Sequence, residues 1–305
     1  MDEKDYLDDA NDRVIDDKVY GEFKDTNGKL VTIKDVQDVV FKIILEIDRV
    51  CRKNDIKYAL AYGSTLGLYN YHDFIPWDDD MDIAVDYFDI PRLIEAFQKD
   101  LGDEYTFDSY ETDKRYNTLI CTMKVRLKET YIKEANWLTL PNRCKNGNGL
   151  FVDVVAFMGV PEDYNEHMRL IKYSKRRMIP YVTLDGFLRI HPYRMKRKLK
   201  ALEKETAEKY RDSNRVSQTV IIPFQDWGED KDKISFPRDV IYPFREYDMR
   251  GTKLYSFNNI KEFCRLCYGE KSLRKFDGEK WYDPYPEKKR HAHHVNKINL
   301  GKYKE

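Results

Sequence analysis

Four aspartates fall within five positions of "FIPWDDDMDIAV", residues 74–85: Asp78, Asp79, Asp80 and Asp82. Acidic clusters ordinarily sit in solvated loops, yet this one runs straight into Met81, Ile83, Ala84 and Val85. The segment reads as a β-strand. Alternate residues of a strand share a face about 7 Å apart, from a rise of roughly 3.3 Å per residue. Asp80 and Asp82 are therefore expected to point one way, and Met81, Ile83 and Val85 the other, into a core. Two such carboxylates repel each other and lose hydration. A divalent cation relieves both, and hard oxygen ligands on one edge suit Mg²⁺ or Mn²⁺, which also take phosphate oxygens. Asp78 has the same parity but precedes the strand, and Asp79 points away as a cap. Trp77 is expected to pack and to fix the aspartate loop.

Upstream, Gly63-Ser64 stands between the strand-like "IKYALAY" and a helix start. A glycine there lets backbone approach a ligand closely, and free N–H groups at a helix N-terminus favour phosphate. Downstream, Asp153 lies alone in the apolar run "FVDVVAF". An unpaired buried carboxylate is unfavourable, so it needs a partner. Lys124 and Arg126 share one face of the strand "MKVRLK". That face is either solvated or a fork for phosphates.

The elements that must hold these residues follow from periodicity. Thr32 and Asp35 make a capping-box pattern before Val36, Val39, Val40, Ile43, Ile44, Ile47 and Val50, which recur at helical spacing. The helix is expected to end near Asn54. "MDIAV" gives a second strand, "IPRLIEAFQKDL" a second amphipathic helix, and "TLICTMKVRLK" and "GLFVDVVAF" two more strands. The fold class is α/β (α+β): a mixed sheet flanked by helices. Residues 1–30 form an acidic leader, 31–160 the catalytic core, and 161–305 a helical and β accessory region that completes the substrate site.

Composition narrows the partners. Lys plus Arg, 54, equals Asp plus Glu, 54, so no basic excess points to nucleic acid. Five cysteines without a framework spacing read as reduced thiols of a cytoplasmic protein. The acidic N-terminus lacks the apolar core of a signal peptide, and no long apolar run predicts a transmembrane segment.

The order strand, Gly-Ser, short helix, then D-h-D-h on the next strand resembles the nucleotidyltransferase superfamily. More specifically, "YALAYGSTLGLYNYHDFIPWDDDMDIAV" is similar to the LicD family of phosphocholine transferases. Gly63, Ser64, Leu66, Gly67, Phe74, Ile75, Pro76, Trp77, Asp78, Asp79, Asp80 and Asp82 stand at matching positions. "KVRLKET", "FVDVVAFMGVPED" and, more weakly, "LCYGE" with a later histidine look like further family segments. Asn70, Tyr71, His72 and Asp73 replace the family's basic and glycine lead-in. The resemblance implies a nucleotidyltransferase-like fold that moves a phospho-substituent, phosphocholine first, from a CDP-activated donor such as CDP-choline to a glycan hydroxyl, releasing CMP. The acceptor would be a glycan or lipid-linked glycan of the lipopolysaccharide or teichoic acid kind. Asp80, Asp82 and Asp153 would be catalytic and ligate Mg²⁺ or Mn²⁺, with Asp153 completing a two-metal clamp or acting as base. Gly63, Ser64, Lys124 and Arg126 would bind the donor. Fukutin-like relatives of the same architecture transfer sugar-alcohol phosphates, which leaves the headgroup open.

Two other readings compete: a nucleotidyltransferase that moves NMP with pyrophosphate release, and an inert glycan- or nucleotide-binding module. Cys264 and Cys267 with His291, His293 and His294 raise zinc, although C-x-x-C in a helix is more often a pair of core thiols. "RMKRKLK" is either a solvated helix face or a peripheral contact with the inner membrane face.

Overall fold

The computed structural model describes residues 22–113, 116, 122–133, 147–184, 188, 193–218, 234–276, 281–282 and 297–303. The acidic leader before residue 22 lies outside them. So do Trp137, Trp227, His291, His293 and His294.

A hairpin of β1 (Glu22–Lys24) and β2 (Leu30–Thr32) turns through Asn27-Gly28 and leads into α1 (Ile33–Lys53). The capping box is present. Thr32 Oγ1 accepts from the Asp35 amide, the Asp35 side chain accepts from the Thr32 amide, and Asn54 caps the other end. The chain then forms β3 (Tyr58–Ala61), α2 (Tyr62–Tyr71), β4 (Asp82–Asp86), α3 (Ile90–Asp100), β5 (Tyr105–Asp108), β6 (Thr122–Leu127), β7 (Tyr131–Ile132) and β8 (Phe151–Gly159). After these come α4 (Tyr164–Val182), α5 (Tyr193–Lys209), β9 (Arg215–Gln218), β10 (Phe236–Pro237), α6 (Arg238–Ile241), β11 (Arg245–Met249), β12 (Thr252–Ser256) and α7 (Ile260–Tyr268).

The main sheet runs β10-β9-β8-β4-β3-β12-β11, with β6 pairing the first part of β8 and β5 pairing β6. β4 is parallel to β8 and antiparallel to β3. This is the mixed, helix-flanked α/β sheet that the sequence predicts. The boundary expected near residue 160 falls inside one continuous sheet, because β9, β10, β11 and β12 all join it.

Both faces of the sheet are buried, so its strands read as apolar runs rather than alternating patterns. Tyr58, Leu60, Ile83, Val85, Val152, Val154 and Val125 pack under the apolar stripe of α1. Ala59, Ala61, Ala84, Val155 and Phe157 face the other way, toward Phe257, Phe263 and Cys264. Burying each large aliphatic or aromatic side chain contributes roughly 1.5–3 kcal/mol. Parity on β4 and β8 puts Asp82 and Asp153 on this second face.

One detail differs from expectation. The strand expected over "MDIAV" begins at Asp82 rather than Met81, and Asp80, expected to share its face, lies in the loop before it. Pairing does reach one residue further, where Asp153 N–H donates to the Met81 carbonyl at 3.0 Å.

Candidate active site

The turn from β3 into α2 is held in an unusual backbone conformation. Tyr62 has φ +48°, a left-handed position that costs a non-glycine residue roughly 1–3 kcal/mol. Its ring packs against Phe157 and Phe263, and its hydroxyl donates to Gln218. No side chain caps the α2 N-terminus at Ala61. A Cβ on Gly63 would lie 3.2 Å from Asp78 Oδ2, so glycine lets the aspartate loop close onto the start of this helix. Ser64 Oγ accepts from the Asp82 amide at 2.8 Å, tying the same helix start to β4. Gly67 is more constrained still: a Cβ there would come within 2.6 Å of the Asp73 carbonyl oxygen.

The carboxylates gather from two strands and one loop. The ligand oxygens of Asp78, Asp79 and Asp80 lie within 4.8 Å of one another. Asp82 is in direct register with Asp153 across the parallel β4–β8 pair. Burial first, then the charges of Asp80, Asp153 and Asp78, hold the Asp82 carboxyl well above the usual carboxylate range; Lys124 opposes them. The expected set Asp80, Asp82 and Asp153 is thus one electrostatic neighbourhood, and Asp80 also belongs to a loop triad with Asp78 and Asp79. Asp79 is 1% exposed and belongs to that triad rather than pointing away. Trp77 packs edge-on against Tyr71 beneath the loop, with ring centroids 6.4 Å apart.

Lys124 and Arg126 share a face of β6 but have different surroundings. Lys124 sits opposite Asp153 in register, and its Nζ lies 2.6 Å from Asp153 Oδ1 and 3.4 Å from the Phe151 ring centre. Arg126 is buried instead in a pair with Asp108, Nε to Oδ2 3.0 Å, and donates to the Gly149 carbonyl. That pair ties β5 to β6 and gives Arg126 a packing role.

Several residues that shape the site were not singled out from sequence. Gln37, on the buried stripe of α1, donates from Nε2 to the carbonyls of Ile75 at 3.2 Å and Asp78 at 2.9 Å. A glutamine on an otherwise apolar helix face was the available signal. Arg250, in the β11–β12 turn, bonds Asp73 and Asp38 and lies over the Phe74 ring. Tyr268 reaches the site from α7. The residue is 39% exposed overall, but its hydroxyl end is enclosed: burial there, then Cys267, Cys264 and the Asp82 carboxylate, push the hydroxyl well above the ordinary tyrosine range. Burial also pushes the Cys264 thiol up, and Cys267 to about 12, as for core thiols.

Residues 55–185, which contain every one of these aspartates, match the family model "LicD/FKTN/FKRP, nucleotidyltransferase domain". The chain carries a LicD-family domain. It is also similar to the lipopolysaccharide cholinephosphotransferase LicD of Haemophilus influenzae, 24% identical over 148 residues. That alignment covers 48% of this chain and 52% of the relative, so the chain spans about half the length of the curated relative it matches. No helix among the described residues is long and apolar enough to cross a membrane.

Proposed function

We propose that this protein is a transferase that moves a phospho-substituent, phosphocholine first among the candidates, from a CDP-linked donor to a glycan hydroxyl, with CMP leaving. The observation that carries this reading is the register of Asp82 beside Asp153, with Asp78, Asp79 and Asp80 closing over the uncapped start of α2. The relative's printed activity supports the phosphocholine assignment.

The residues present fit a hard divalent cation. The clustered ligand atoms are carboxylate oxygens, and burial first, then their mutual repulsion, holds Asp82 up. Asp80 and Asp82 would hold Mg²⁺ or Mn²⁺, with Asp153 or the loop aspartates completing the set. A cation held by these residues would supply charge neutralisation for the donor diphosphate and for departing CMP. The chain's own groups do the positioning. The uncapped N–H groups at the start of α2 would meet the donor phosphate, favoured by the helix dipole. Lys124, held by Asp153, supplies a positive charge at the same edge. Asp153 would accept the acceptor hydroxyl's proton once Lys124 turns from it to the phosphate.

The test is product analysis. With Mg²⁺, CDP-choline and a glycan acceptor, CMP should appear in step with acceptor modification, and a chelator should stop it. Pyrophosphate release from an NTP, with CDP donors untouched, would replace this reading with the nucleotidyltransferase one. Donor binding without any turnover would leave a binding module.

A further inference from the structure

The α4–α5 hairpin carries a charge imbalance that the reaction does not use. Residues 164–209 contain thirteen Lys and Arg against five acidic residues, in a chain of zero net charge. Two of the basic residues turn inward: Lys196 is buried and donates to the Tyr116 carbonyl, and Lys200 pairs with Glu111 at 3.0 Å and with Glu203. Others turn outward. Lys172, Arg176, Arg194, Arg197 and Lys198 are exposed, and among the described residues no salt bridge engages them.

The same hairpin exposes apolar side chains. Leu188 is 59% and Ile179 57% exposed, the two highest values for large hydrophobic residues among those described, with Tyr193 at 47%. These three lie in the last turn of α4, the connection and the first turn of α5. Met178 and Leu199 fix which faces look inward, because both are buried in one cluster with Met158 of β8 and Val160 just after it. Among the described residues, the ends of α4 and α5 nearest their connection therefore carry exposed apolar side chains beside cations that no salt bridge engages.

Either feature alone is ordinary, since solvated charged faces and single exposed aliphatics are common. Together they match a lipid interface, where cations meet anionic headgroups and apolar side chains enter the acyl boundary. A nucleic-acid backbone would use the charges and leave Ile179 and Leu188 in water. We propose that this end of the α4–α5 hairpin seats this protein on an anionic phospholipid surface. This stands apart from the reaction proposed above, because vesicle binding is read without turnover.

The experiment is cosedimentation of the full chain with vesicles of phosphatidylcholine, alone or mixed with phosphatidylglycerol. Binding is expected only to the mixed vesicles and should weaken with added salt. Each removed cation should weaken it roughly fivefold, so Arg176→Gln/Arg194→Gln/Arg197→Gln should lose about a hundredfold. Ile179→Ser/Leu188→Ser should also lose binding, including at low salt. All five positions are exposed, so circular dichroism should show both variants folded. The proposal is overturned if the wild type ignores mixed vesicles. It is also overturned if the Ile179→Ser/Leu188→Ser variant binds like wild type, or if duplex DNA displaces the vesicles at equal charge.

Discussion

Asp82→Asn should stabilise the metal-free protein while removing its response to Mg²⁺. Asp82 and Asp153 are register neighbours on adjacent strands. Strands lie about 5 Å apart, and two unit charges at that separation repel by about 3 kcal/mol at an effective dielectric near 20. Lys124, ion-paired to Asp153 and opposing the rise at Asp82, offsets much of this. A net gain on the order of 1 kcal/mol remains, a rise of about 2 °C in Tm for a domain of this class. The sign depends on pH. The folded-state pKa of Asp82 is raised, so the stability its proton confers is complete below the ordinary carboxylate pKa and is lost as pH rises through the folded value. The variant's advantage should therefore be widest at high pH and vanish in acid. Thermal melts of both proteins, after chelation and then across a Mg²⁺ titration, make the measurement. Wild type should gain Tm with Mg²⁺ and the variant should not. A variant that melts lower than wild type without metal, or that still gains Tm with Mg²⁺, would refute the placement of Asp82 in a self-repelling cation site.

Gln37→Leu should cost roughly 1–3 kcal/mol in urea unfolding, because the carbonyls of Ile75 and Asp78 lose a buried donor. Its turnover should drop by about 10–100-fold through a displaced aspartate loop; unchanged turnover would show that the loop holds itself. Gly67→Ala places a Cβ 2.6 Å from the Asp73 carbonyl oxygen and 2.7 Å from the Ile75 nitrogen. It should destabilise by about 3 kcal/mol, read as a lower urea midpoint. His167 is buried, and its pKa is lowered to about 4 by burial, with Arg215 adding to it. The unfolded chain takes up this proton first as pH falls, so stability should drop by about 3 kcal/mol between about pH 6.5 and about pH 4. His167→Leu should flatten that part of the profile.

The legible parts of this fold were those set by local pattern. Thr32 and Asp35 announced the start of α1, and the Val and Ile spacing announced its buried stripe, because capping and helical period are written in consecutive residues. The aspartates drew attention because carboxylates interrupted an apolar strand. Where the strand began was less legible: Asp80 and Asp82 keep strand parity in sequence, yet the ladder starts at Asp82. Lys124 and Arg126 looked equivalent for the same reason. Parity gave them one face, but only the position of β5 decides that Asp108 claims Arg126. Long-range contributors were illegible. Arg250 and Tyr268 reach the site from β-hairpin and helix more than 160 positions downstream, through a β12–β3 pairing that no local signal encodes.

That pairing also explains why the face bearing Asp82 and Asp153 cannot be finished by the segment that carries those aspartates. Ala59, Ala61 and Ala84 offer almost no side-chain bulk on the face that Asp82 and Asp153 share. Phe257, just after β12, and Phe263 and Cys264 of α7 fill the space above them. With those aromatics in place, Tyr62 is clamped between Phe157 and Phe263 in its left-handed conformation, and the α2 N-terminus is aimed at Asp78. Without them the strained turn would relax toward an ordinary φ, and Gly63 would swing away from the aspartates. The small residues of β3 and β4 and the large ones of α7 are therefore one device. Residues 55–185 supply the charges, and the chain beyond them supplies the packing that keeps those charges together in spite of their mutual repulsion.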